Sequence, residues 1–272
     1  MSTGPFAEVI GDPIDQSLSP AIHGFWLEAL GIDARYGRQR VTRAEFPTYL
    51  NERRTDPDWR GSNVTMPLKL DAVALADAAA DRAVAAGAAN VLMMREGRLV
   101  AANTDVGAIA ALVARLNDAK ARMGSITLLG NGGAARAALV ALKLLGLSVV
   151  RIQARDLGEA VKLAVEFGLE AEPTPFTEQI VSDGLINATP LGMAGQECLN
   201  CDLSRMPVGG WVFDMVTSPG DTPLVEAARV RGLLVITGLE MLVEQATTSF
   251  KLFFGQDPPR DRDGELWQRL RQ

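Results

Sequence analysis

Apolar and polar positions alternate in short blocks along this chain. The apolar run 6–10 ends in Gly11-Asp12-Pro13, and Ser19-Pro20 then opens a stretch with helical spacing through Leu30. A strand followed by a helix is predicted. A second extended segment, 61–65, meets Pro67, a residue suited to the first helical turn, and the Ala-rich segment 70–86 reads as the helix that follows. Strands are expected again over 89–94 and 99–102, and a helix over 106–116.

The strongest pattern follows the polar patch 117–124: a β-rich run 126–129, a glycine turn, a helix through Leu145 and a second strand over 149–153. This is a βαβ unit of about thirty residues. Strand signals at 185–187, 211–214 and 233–236 alternate with helical or loop stretches, as a parallel sheet requires. Final helices are expected over 239–254 and 262–271, separated by Pro258-Pro259.

Composition narrows the chemistry. A length of 272 residues suits two modest domains or one large one. With 27 Lys and Arg against 33 Asp and Glu, the net charge of −6 supplies no broad basic field, so nucleic acid is not an expected partner. The chain holds no run of about 18 apolar residues and no signal-peptide pattern, so a soluble protein of the cytoplasm is expected. His23 is the one histidine, which excludes multi-histidine metal sites and leaves proton chemistry mainly to Lys, Asp, Glu, Tyr or Cys. Cys198 and Cys201 form a lone C-x-x-C, an incomplete zinc set best read as two reduced thiols in a loop, and no metal is expected.

The turn Gly130-Asn131-Gly132-Gly133-Ala134-Ala135 lies between a strand and a helix, where small residues allow a pyrophosphate to approach backbone amides. The second strand runs into Gln153-Ala154-Arg155-Asp156-Leu157-Gly158-Glu159. Asp156 stands a little beyond the usual spacing of about 20 residues for the acid that holds ribose hydroxyls. Asp156 and Glu159 would repel a 2′-phosphate while Arg155 argues the other way, so NAD is favoured over NADP; Asp156 as a plain helix cap is the alternative. Ser17 and Ser19 place two hydroxyls at a helix start, a donor pair for a small carboxylate, unless Ser19 is simply the N-cap. Pro67 at the first helical position would set Lys69 in the first turn, a place suited to a proton-transferring lysine. Asp105 is either an N-cap or an acid at a strand end, and Gln245 flanks an apolar helical stripe, facing a cleft or water.

Together these segments resemble the shikimate dehydrogenase family. The resembling pieces are G-D-P-I-D-Q-S-L-S-P-A-I-H from Gly11, N-V-T-M-P-L-K from Asn63, G-A-A-N from Gly87 and N-T-D from Asn103. G-N-G-G-A-A-R from Gly130, N-A-T-P-L-G-M from Asn187, D-M-V-T-S-P-G-D-T-P from Asp214 and G-L-E-M-L-V-E-Q from Gly238 follow. The resemblance implies an α/β fold: a substrate-binding domain over 1–105 completed by helices 239–272, and a Rossmann-type doubly wound dinucleotide-binding domain over 106–238, with a cleft between them. It implies Lys69 and Asp105 as the catalytic pair, with Ser17, Ser19, Thr65, Asn90, Gln245 and Thr217 on the substrate. Gly130, Asn131, Gly132, Gly133, Ala134, Arg155, Asp156, Met215 and Gly238 would hold the cofactor, and His23 matches a structural position.

Departures from the family pattern shape the functional expectation. Of the run that grips the NADP phosphate, N-R-T/S-x-x-R, only Arg155 is kept, and Thr217 replaces a tyrosine. The expectation is therefore a divergent, NAD-dependent oxidoreductase acting at C3 of a shikimate- or quinate-like cyclic hydroxy acid, monomeric or homodimeric. The alternatives are an aminoshikimate or aminoquinate dehydrogenase, an NADP-dependent shikimate dehydrogenase of aromatic amino acid biosynthesis, and a catalytically silent nucleotide-binding regulator.

Overall fold

Strand β1 (Phe6–Gly11) is buried along nearly its whole length, which accounts for its apolar residues, and its one charged residue, the buried Glu8, is paired with Arg53 at 2.7 Å. In the computed structural model, which describes residues 4–168, 170–176, 179–217 and 221–270, it lies inside a six-stranded sheet of order β2-β1-β3-β5-β6-β4. The partners are β2 (Arg35–Arg40), β3 (Trp59–Val64), β4 (Ala78–Ala79), β5 (Val91–Arg95) and β6 (Arg98–Ala102). β2 is R-Y-G-R-Q-R, and as an edge strand with exposed polar side chains it carries no apolar alternation to announce it. Helix α1 (Ser19–Leu30) and helix α2 (Phe46–Thr55) also belong to this unit, α2 anchored by only three buried residues, Phe46, Tyr49 and Leu50.

The Ala-rich segment is not one helix. α3 (Lys69–Leu75) and α4 (Asp81–Ala86) are separated by β4, because Asp77 is drawn into the sheet. Its amide donates to the Leu99 carbonyl at 2.8 Å and its carboxylate accepts from the Leu99 amide at 2.7 Å. Arg54 grips the same carboxylate and, with the Leu99 amide, holds its pKa down to about 2. Pro67 is not the first helical residue either. A turn closed by the Leu68 amide on the Thr65 carbonyl takes it up, and α3 starts at Lys69 itself.

The other sheet is wholly parallel. It contains β7 (Ile126–Leu129), β8 (Val149–Gln153), β9 (Glu170–Thr174), β10 (Gly184–Asn187), β11 (Trp211–Asp214) and β12 (Leu234–Thr237). Their order, β9-β8-β7-β10-β11-β12, is that of a Rossmann sheet, with its topological switch between β7 and β10. Helices α5 (Asp105–Asp118), α6 (Gly133–Leu144), α7 (Leu157–Phe167) and α8 (Pro223–Val230) connect these strands or precede them. Helix α9 (Gly238–Phe254) follows β12, and α10 (Asp263–Leu270) ends the described chain. The chain forms two compact units, Met1–Thr104 with Val243–Gln272, and Asp105–Leu242. Within the first, α10 packs on α1, with the guanidinium groups of Arg262 and Arg269 over the Phe25 ring at 5.4 and 4.9 Å. Among the described residues no helix is long and apolar enough to cross a membrane, and no cluster of metal-ligating side chains occurs. Neither Cys198 nor Cys201 is part of a disulfide.

His23 is fully buried in the first unit, stacked on Tyr36 with centroids 3.9 Å apart and planes 3° from parallel. Neither ring nitrogen has a hydrogen-bond partner among the described residues, and burial pushes its pKa down from 6.5 to about 3. The unfolded chain therefore binds a proton at His23 that the folded chain refuses. Stability carried by the neutral ring is fully present above pH 6.5 and falls as pH drops below it. His23→Phe keeps a stacking ring without the titration. Thermal unfolding from pH 7 to 4 is expected to show wild type losing roughly 1 kcal/mol per pH unit more than this variant; parallel profiles would contradict the account.

Candidate active site

In the first unit, Ser17 precedes α1 and Ser19 is its first residue. Leu18 occupies the N-cap and no side chain caps the helix, so the buried Ser19 hydroxyl is not spent on capping. The Ser19 amide lies 3.4 Å from Ser17 Oγ. Arg38 of β2 donates to the Asp15 carbonyl, and Arg40 binds Asp12 through two nitrogens at 2.8 and 3.1 Å, which ties the loop carrying Ser17 to the sheet edge. Thr65 follows β3, its amide bonded to the Ile10 carbonyl at 2.9 Å, and the half-buried Lys69 opens α3.

Asn90 and Gln245, far apart in sequence, are brought together. Asn90 Nδ2 donates to Gln245 Oε1 at 3.2 Å and to Thr104 Oγ1 at 2.8 Å, while Asn90 Oδ1 accepts from the Thr104 amide at 2.7 Å. Thr104 Oγ1 reaches Gln245 Oε1 at 3.3 Å. Gln245 is 7% exposed, so it faces neither open water nor the apolar stripe but a polar cluster at the strand ends. Asn63, Thr104 and Ser249 belong to the same cluster and were not picked out by motif reading. Asn63 and Thr104 stand inside quoted motifs, and Ser249 is one helical turn past Gln245, the only sequence signal it carries.

In the second unit, Asp105 is the buried first residue of α5. Gly130 ends β7 at φ +104°, and a Cβ there would stand 3.1 Å from Thr189 Cγ2 and 3.2 Å from the Ala188 carbonyl oxygen. The turn is therefore pressed against the residues that follow β10, at the switch point. Gly132 is exposed, with open space where its Cβ would be, and it caps α6, whose first turn is Gly133, Ala134 and Ala135. Asn131 lies between the two glycines, half-buried. This open, amide-lined helix start fits a pyrophosphate.

Around it the strand ends are locked. Asp214 accepts from Asn187 Nδ2 at 2.9 Å, from the Val216 amide at 3.1 Å and from the Thr222 hydroxyl, and burial raises its pKa. Asn187 Oδ1 in turn accepts from the Thr189 amide and hydroxyl at 3.1 and 2.7 Å. The Met215 amide bonds to the Asn187 carbonyl at 3.0 Å, and Gly238 opens α9 so close to Val216 that a Cβ would meet its carbonyl oxygen at 2.2 Å. Thr217 is half-buried beyond β11, and residues 218–220 of the same motif lie outside the described residues. At the end of β8, Arg155 and Asp156 are exposed, and Asp156 caps α7 by accepting from the Glu159 amide at 3.0 Å.

Comparison with known proteins follows this geometry closely. The sequence profile of the shikimate dehydrogenase substrate binding domain matches residues 9–92, and that of the shikimate 5′-dehydrogenase C-terminal domain matches 238–262. The chain is 44% identical over 264 residues to the shikimate dehydrogenase (NADP(+)) of Sphingopyxis alaskensis, covering 96% of this chain and 95% of that one. The chain belongs to the shikimate dehydrogenase family. Like its relatives it is a nicotinamide-dependent oxidoreductase acting on a CH–OH group. The shikimate 5-dehydrogenase of Thermus thermophilus, solved with NADP(H) and shikimate, superposes with a TM-score of 0.85 at 34% identity, covering 98% of this chain and 99% of that one. The quinate dehydrogenase of Corynebacterium glutamicum, solved with NAD, gives 0.84 at 27% identity, covering 98% and 99%.

The Gly130 geometry generates a direct test. Gly130→Ala adds a methyl against Thr189 in a backbone conformation that L residues avoid. It is expected to weaken nicotinamide dinucleotide binding about tenfold or more in calorimetric titration. Affinity equal to wild type would remove this turn from the cofactor site.

Proposed function

We propose that the protein is a dehydrogenase that oxidises the C3 hydroxyl of a shikimate- or quinate-like cyclic hydroxy acid, with NAD as the preferred cofactor. The observation that carries the substrate class is the polar cluster at the strand ends of the first unit. There Asn90, Thr104 and Gln245 turn amide and hydroxyl groups toward one another, and Ser17 and Ser19 stand at the start of α1 in the same unit. Such a set suits a ring that bears several hydroxyls and one carboxylate. In this reading 1–105 with 239–272 is the substrate-binding part and 106–238 holds the dinucleotide. Ser17 and Ser19 take the carboxylate, and Thr65, Asn90, Gln245 and Thr217 take the ring hydroxyls.

A nicotinamide dinucleotide held at the turn of Gly130 to Ala134 would supply the hydride acceptor for the ring carbon. Lys69 takes the hydroxyl proton as the carbonyl forms and passes a proton on to the Asp105 carboxylate, and the same transfers run backwards in the reverse direction. Lys69→Ala is expected to lower kcat by about 10²- to 10⁴-fold with the fold intact by circular dichroism. Near-normal turnover would remove the lysine from the mechanism.

The NAD preference rests on the start of α7. Asp156 and Glu159 share that turn with Arg155, and Glu159 is paired with Lys162 at 2.6 Å, which leaves the Asp156 carboxylate as the main charge that would repel a 2′-phosphate. Asp156 caps the helix with Oδ1, and its second oxygen suits a ribose hydroxyl. Two observations favour the competing reading, an NADP-dependent shikimate dehydrogenase: the exposed Arg155, and the name of the Sphingopyxis alaskensis relative. Steady-state kcat/KM for shikimate and quinate with each cofactor separates them. NAD is expected to exceed NADP by about tenfold or more. Asp156→Thr combined with Glu159→Arg is expected to reverse the ratio; a wild type that prefers NADP sinks the cofactor assignment and leaves the substrate class standing.

A further inference from the structure

Ser249 lies one turn past Gln245 on α9 and is fully buried. Its hydroxyl donates to the Gln245 main-chain carbonyl at 3.1 Å, accepts from Asn63 Nδ2 at 2.9 Å, and sits 3.3 Å from Thr104 Oγ1. One proton and two lone pairs are all that a hydroxyl has, so three partners use it completely. The bond within the helix is ordinary for a helical serine. The other two are not, because they reach β3 and the end of β6, elements far away in the chain.

Two arms meet at this hydroxyl. Asn63 Oδ1 accepts from the Tyr36 phenol at 2.7 Å, and burial raises the pKa of that phenol while the neighbouring Ser19 side chain lowers it. This arm ends at the carboxylate-binding pair. On the other side Thr104 gives its one hydroxyl proton to Ser249 and accepts from Asn90 Nδ2 at 2.8 Å, and Asn90 Nδ2 also donates to Gln245 Oε1 at 3.2 Å, which brings in the two groups proposed for the ring hydroxyls. An amide has a carbonyl end and an amino end, and buried partners decide which end points where. With Ser249 in place, Asn63 must turn Nδ2 toward α9 and Oδ1 toward Tyr36.

We propose that Ser249 is a positioning residue for substrate binding, joining the two arms so that the orientation of Ser19 and those of Asn90 and Gln245 are set together. The proposal rests on the reading that Ser19, Asn90 and Gln245 bind the cyclic acid. Without the hydroxyl, Asn63 Nδ2 keeps only the Asn90 carbonyl at 3.2 Å, and one amide proton is left buried without a partner. The Asn63 amide then turns, and both arms lose their shared reference.

The test is steady-state kinetics of the full chain with shikimate and quinate as probes. Ser249→Ala is expected to raise KM for the cyclic acid about 5- to 20-fold, while kcat and the cofactor KM stay within about twofold. Tyr36→Phe removes the far end of the first arm and is expected to give the same signature. The double variant should exceed the poorer single variant by no more than about twofold in KM, because both act through Asn63. Multiplied effects, an unchanged KM, or a kcat loss that moves with the cofactor KM and Tm would overturn the proposal. If Ser249→Ala does not fold, the KM of Tyr36→Phe decides alone. A wild type inactive on every cyclic acid sinks the functional reading and this proposal with it, whereas an active wild type and an unaltered variant sink this proposal only.

Discussion

Asn90 uses every polar atom it has to tie three elements of the first unit together. Its amide donates to the Ala102 carbonyl at 3.1 Å, and its carbonyl accepts from the Val64 amide at 2.8 Å and from Asn63 Nδ2. Its side chain holds Thr104 and Gln245. A buried asparagine with one satisfied orientation is a rigid joint, since any rotation strands donors away from water. The ends of β3 and β6 and the middle of α9 are thereby set relative to one another, and the polar residues they carry inherit that rigidity. The network proposed for substrate recognition is thus also part of the core.

The second unit solves a different problem with different means. Its parallel sheet is buried, so its strand ends cannot leave polar groups unpaired, and Asp214 with Asn187 collects the donors of the two loops beyond β10 and β11. That lock holds Thr189 where Gly130 packs against it, so the glycine turn after β7 sits at the switch point, its Gly130 amide bonded to the Gln153 carbonyl at 2.8 Å. Burial raises the Asp214 pKa, yet three hydrogen bonds oppose this, the balance expected of a structural carboxylate. Membership of the family and the nicotinamide chemistry follow from relatives that match nearly the whole chain, while the proposed NAD preference rests on a few exposed side chains at the start of α7.

Short-range features were readable in the sequence. The strand, glycine turn and helix around Gly130 need only local spacing, and the order of motifs from Gly11 to Gln245 carries the family resemblance. Failures came where local preference met a distant partner. Alanines favour a helix through 70–86, but Asp77 finds Leu99 and Arg54 and breaks it. Pro67 suits a first helical turn, but the turn at Thr65 to Leu68 delays the helix. The edge strand 35–40 left no apolar trace because one side of it has no sheet to face.

Sequence alone therefore determined the class of protein, the place of the strand, glycine turn and helix around Gly130, and the residue types available for proton transfer, since one histidine leaves few choices. Tertiary structure alone decided which polar groups act together. Asn63 and Ser249 stand 186 positions apart, and nothing in either neighbourhood announces the other. The physical reason is that hydrogen-bond satisfaction in a core is a property of the packed volume. Spacing along a chain records which face a side chain takes, and only folding decides what waits on that face.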